Sequence, residues 1–97
     1  MKIVVFHEQA EEELKEAARF YAGRRERLGS ELVAEVRHAT RILQEHPGLG
    51  HAVSRRVRRL LVRRFPYAVI YRAEANRIFI LAVAHLKRRP GYWRERM

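Results

Sequence analysis

Two apolar runs near the C-terminus, "YAVIYR" at 67–72 and "RIFILAVAH" at 77–85, are separated by only four residues, "AEAN". A connector that short makes the runs pair as an antiparallel hairpin, because a parallel crossover needs a dozen residues or more. In the first run Tyr67, Val69 and Tyr71 alternate with Ala68, Ile70 and Arg72. In the second, strict alternation predicts Phe79, Leu81, Val83 and His85 on one face and Ile78, Ile80, Ala82 and Ala84 on the other. Both faces of this strand are largely apolar, so it needs cover from two sides. A further strand is expected over about 57–64, with Pro66, which has no amide to donate, at the corner before the hairpin.

The first half of the chain supplies one cover. "KIVVFH" at 2–7 reads as a short strand. From Gln9 to about Arg27, Ala10, Leu14, Ala17, Ala18 and Tyr21 follow helical spacing, with glutamates enriched in the first turn, where they favour the helix dipole. Leu28-Gly29-Ser30 reads as a turn, Gly29 stopping one helix and Ser30 capping the next. Leu32, Val36, Ala39 and Leu43 mark the second helix, which "HPGLGH" at 46–51 ends. The order is β-α-α-β-β-β: an α+β class, with a helical hairpin on one face of an antiparallel three-stranded meander. The tail, "KRRPGYWRERM", either folds against the other face or waits for a partner. Residues 1–97 are expected to form a single domain, since a chain this long supports one core.

Charge separates the two halves. Residues 1–54 hold 8 Lys/Arg against 9 Glu, whereas residues 55–97 hold 13 against 2, and the whole chain carries +10. Such a one-sided field implies a polyanionic partner: nucleic acid, an anionic surface or an acidic protein segment. The longest uninterrupted apolar run, Ile78 to Ala84, is far short of a membrane span, and the N-terminus lacks the pattern of a secretion signal. A cytoplasmic location with no membrane partner is the expectation. The chain has no cysteine, and His7, His38, His46 and His51 lack metal-ligand spacing, so neither metal nor cofactor is expected.

"RRFPYAVIYR", "RIFILAVAH" and "LKRRPGYWRER", preceded by "ARFYAGRR" and "LGSELVAEVRHATRILQEHPGLG", together resemble the RelE/ParE superfamily of bacterial type II toxin-antitoxin toxins, also called plasmid stabilisation proteins. The resemblance spans nearly the whole chain in order. It implies the fold derived above and a cognate antitoxin whose acidic C-terminal segment wraps the toxin in a hetero-oligomer. RelE-like members cut mRNA on the ribosome; ParE-like members poison DNA gyrase. The RelE-like pattern places an arginine after the central-strand tyrosine, where this chain has Ala68, while His85, Arg88 and Pro90 leading into Trp93 look closer to the ParE-like branch.

Two sets of residues follow. Metal-free RNA cleavage needs a base, an acid and cations around the phosphate, and Arg59, Arg64, His85, Lys87, Arg88 and Tyr92 are the residues that would supply them. For contact with an acidic antitoxin or a target, the expected residues are Arg55, Arg56, Arg58, Arg59, Arg63, Arg64, Arg72, Arg88, Arg89 and Trp93, because guanidinium forks suit carboxylate and phosphate alike. Each has a plainer role beside it: His85 a hydrogen-bonded strand end, Tyr67 and Tyr71 sheet packing, Trp93 an anchor for the tail.

Overall fold

The computed structural model describes residues 1–97. Its elements are β1 (Ile3–Phe6), α1 (Glu8–Arg24), α2 (Leu28–Glu45), β2 (His51–Ala52), β3 (Arg58–Leu61), β4 (Tyr67–Ala73), β5 (Arg77–His85) and a closing 3-10 turn at Arg94–Arg96. The five strands form one sheet in the order β1-β5-β4-β3-β2. The expected antiparallel meander is β3-β4-β5, and β1 adds a parallel edge to β5. Two details lay beyond the sequence pattern: β2, only two residues long, and a meander strand β3 that stops at Leu61 rather than 64.

The interhelical turn departs from expectation. Helix α2 begins at Leu28, so Gly29 and Ser30 lie inside it, and the Ser30 hydroxyl donates to the Arg27 carbonyl instead of capping the helix. Gly29 is there for closeness: a Cβ at this position would lie 2.5 Å from the Ala18 carbonyl oxygen of α1. At the other end of the turn, the Arg25 amide caps α1 by donating to Tyr21. His7 caps its start, Nδ1 accepting from the Gln9 amide at 3.0 Å.

The hairpin packs Ala10, Ala17, Leu32, Val36, Ala39 and Leu43 onto Val69, Tyr71, Ile78, Ile80 and Val83 of the sheet. The Tyr71 hydroxyl donates to the Pro47 carbonyl at 2.7 Å and accepts from the Gly50 amide, fastening the loop after α2 to the sheet. Burial raises the Tyr71 pKa, and the Gly50 bond and Arg58 partly offset that rise.

The expected alternation along β5 fails at one place. Ile70 pairs with Ala82 but Tyr71 with Ile80, so Leu81 is an extra residue in the ladder. A bulge of this kind puts consecutive residues on the same side and reverses the alternation beyond it. Val83 therefore joins Ile78 and Ile80 under the helices, and Phe79 and Leu81 share the opposite face with Ala82 and Ala84. His85, paired with Tyr67, does not continue the face of Phe79 and Leu81 as the sequence suggested.

Candidate functional site

The side of the sheet away from the helices is closed by the C-terminal tail. Trp93, only 6% exposed, packs with Val57, Ala68, Ile70, Leu81, Ala82 and Ala84. Gly91, at φ +78°, turns the chain so that Tyr92 and Trp93 come back over the strands. That left-handed backbone suits glycine, the one residue without a Cβ penalty there.

One carboxylate holds the tail. β1 ends where the His7 amide donates to the Ile80 carbonyl, leaving the rest of the β5 edge without a strand. Glu13 of α1 accepts from the Val83 amide at 3.0 Å, and Arg96 donates to the Leu81 carbonyl at 3.0 Å, so a side-chain pair takes the place of the missing ladder. Arg96 grips Glu13 with both terminal nitrogens at 2.9 Å, and the Tyr92 hydroxyl donates to the same carboxylate at 2.8 Å. Burial first, and the Glu13 bond second, hold the Tyr92 phenol well above its ordinary pKa. Glu13 also raises the Arg96 pKa by accepting its hydrogen bonds. Sequence reasoning missed Glu13 among the neighbouring glutamates. Its signal was phase: 13 lies three after Ala10 and four before Ala17, at the rim of the buried stripe.

Beside the tail a cavity of about 170 Å³ opens on this face. Ala68 and Ala84, directly opposed in the ladder, form its floor with Ile70; Val53 and Trp93 form walls, and Arg59, Arg88, Arg89 and Arg94 surround the mouth. None of these four guanidiniums has a carboxylate within ion-pair distance. The neighbouring Tyr92 ring interacts with two arginines, Arg88 at 3.8 Å and Arg96 at 5.1 Å from its centroid.

The sequence-predicted residues thus divide into three places. Arg59, His85, Arg88, Arg89, Tyr92 and Trp93 meet at the cavity. Arg55, Arg56, Arg58 and Arg72 line a second groove, of about 430 Å³, at the β2–β3 end. There Arg58 donates to the Gly50 carbonyl at 2.8 Å, and Arg72 is bound to Glu74 and stacked on Phe79. Arg63 and Arg64 lie in the turn between β3 and β4. Arg64 is the one non-glycine residue at positive φ, and it pairs with Glu31 of α2 at 2.8 Å. The proposed cleavage set is accordingly split: Arg64 is held at α2, and Lys87 is outside the cavity lining.

His85 is engaged on two sides. Its Nδ1 accepts from the Lys87 amide at 3.0 Å, and its ring meets Tyr67 edge to face at 5.1 Å. Tyr67 in turn contacts Tyr21, and burial, then Tyr21, raises its pKa. No group of three or more His, Cys, Asp or Glu residues is placed to hold a metal ion.

A two-helix hairpin on one face of a five-stranded sheet, with a basic tail closing the other, defines a small α+β protein with unpaired arginines on its tail side. Residues 4–90 match the family model described as the ParE toxin of the type II toxin-antitoxin system parDE, and the chain belongs to that family. In a structure titled as a chromosomal ParDE TA system from P. aeruginosa, one chain superposes with a TM-score of 0.76 at 20% identity. The match covers 88% of this chain and 96% of that one, and it shows a shared fold. No curated protein matches the chain.

Proposed function

We propose that residues 1–97 act as one toxin unit of a type II module, neutralised by the acidic C-terminal segment of a cognate antitoxin and directed in the cytoplasm against DNA gyrase. Family membership supports the first part. The observation that carries the second is the commitment of the acid-base candidates to the fold. A phenol far above its ordinary pKa does not supply a base at neutral pH, and the Tyr92 hydroxyl is already donated to Glu13. With the His85 Nδ1 accepting from the Lys87 amide and Arg64 held at α2, the remaining cations form a surface for carboxylates rather than a cleavage centre.

The test uses purified toxin, assayed in parallel with programmed ribosomes and with gyrase plus supercoiled plasmid. Gyrase-dependent DNA breakage without RNA cleavage is expected, and His85→Gln should leave toxicity largely intact. Codon-positioned cuts in mRNA would sink the gyrase reading. They would make Arg59, His85, Arg88 and Tyr92, which do converge at one cavity, the set to substitute next.

A further inference from the structure

The cavity between Ala68, Ala84 and the tail has features that narrow what can enter it. Its volume of about 170 Å³ is well under the roughly 300–1,000 Å³ of small-molecule sites, so the occupant is about one side chain in size. Its floor of Ala68, Ile70 and Ala84 offers no side-chain hydrogen-bonding group, so a nucleobase would find nothing there to pair its polar edge. The two aromatic rings beside the cavity are already engaged: Trp93 is buried, and Arg88 and Arg96 interact with the Tyr92 ring, which disfavours base stacking. What surrounds this apolar floor is cationic, with Arg59, Arg88, Arg89 and Arg94 unpaired at the mouth.

We propose that this cavity receives a single apolar side chain of an acidic peptide, whose flanking carboxylates are taken by the guanidiniums at the mouth. The inference rests on the reading that an acidic antitoxin segment neutralises the toxin, and it adds the place and the anchor. The apolar anchor supplies affinity by desolvation at the floor. The charged flanks hold it in register, because the guanidiniums come from two separate elements, Arg59 from β3 and Arg88, Arg89 and Arg94 from the tail, so carboxylates flanking the anchor have cations from both. Specificity then lies in spacing: an apolar residue with acidic neighbours on both sides, not acidity alone.

The test uses the full chain and two synthetic peptides of Glu and Ser, about a dozen residues long, identical except for a central Leu or Ala. Dissociation constants are measured by fluorescence anisotropy at physiological salt, and the contact is located by methyl NMR. The Leu peptide is expected to bind about tenfold tighter or more and to shift the methyl signals of Ala68, Ala84 and Val53. Ala84→Leu, which fills the floor, should abolish the Leu-over-Ala preference. Val53→Asp, at an exposed wall, should weaken both peptides by placing a like charge at the mouth; unchanged affinity for both would overturn the placement, which keeps the test decisive if Ala84→Leu disturbs folding.

Equal affinity for the two peptides, or methyl shifts confined to other surfaces, would overturn the anchor while leaving acidic neutralisation standing. If neither peptide binds, the anchor is overturned, and testing whether the acidic protein encoded beside the toxin co-purifies with it decides whether acidic neutralisation falls too.

Discussion

On the helix side of the sheet, thirteen buried residues from both helices, β4, β5 and the β3–β4 turn form one cluster; on the tail side there are seven, three of them alanine and one, Trp93, from the tail. The helix side is closed by two long elements whose apolar stripes match the sheet. The tail side is closed by a short irregular segment that depends on Glu13 for its anchorage. The contrast teaches where partner binding can occur without loss of the fold. A surface shared with a partner must be less completely filled than a core, and the side with small residues and unpaired cations meets that description.

Substitutions can break or sharpen this comparison. The largest expected effect is on the helix side: Leu32→Ala removes a fully buried side chain and should lower unfolding free energy by about 2–5 kcal/mol, measured by chemical denaturation. Glu13→Gln comes next. It leaves Arg96 without its counter-charge and should cost about 1–3 kcal/mol. The loss should be local: amide exchange at Val83 should accelerate strongly while the helix-side amides stay protected. Equal acceleration on both sides would show that the two faces are a single cooperative unit, and the comparison would fail.

The smallest effect is expected at the β4–β5 turn. Glu74 binds Arg77 and Arg72, and these bonds, Arg77's foremost, hold its carboxyl below the ordinary value of 4.5. The folded form therefore gives up the proton more readily than the unfolded chain. Its stabilisation is present above the unfolded value and is lost as pH falls through the lowered folded one. Glu74→Gln should cost under about 1 kcal/mol at neutral pH, as expected for a partly exposed pair. The difference between wild type and variant should shrink as pH falls below 4.5, followed by thermal unfolding across an acid series.

The helices and the β4–β5 hairpin were legible because periodicity and a four-residue connector leave few alternatives. Gly29 and Ser30 misled because both residue types commonly mark helix ends. Here the glycine lets α2 approach Ala18, a requirement visible only once both helices are in place. The candidate site was legible in its parts. Arginines, His85 and Trp93 stood out by type, but which of them converge depends on partners elsewhere in the chain. Arg64 is drawn away by Glu31, and Tyr92 is engaged by a glutamate 79 residues earlier. The bulge at Leu81 was illegible for a different reason: no glycine marks it, and it exists only relative to the neighbouring strand.

That extra residue makes β5 tolerant of one particular shortening. Deleting Leu81 would close the bulge and leave a regular ladder in which Ala82 follows Ile80, Ala82 and Ala84 stay on the tail side, and Val83 stays under the helices. The core would keep its residues, and the tail side would lose one leucine. Among related chains, the loss of a single codon at this point is therefore a small event for the fold: it trims the surface beneath Trp93 without exchanging one face of the strand for the other.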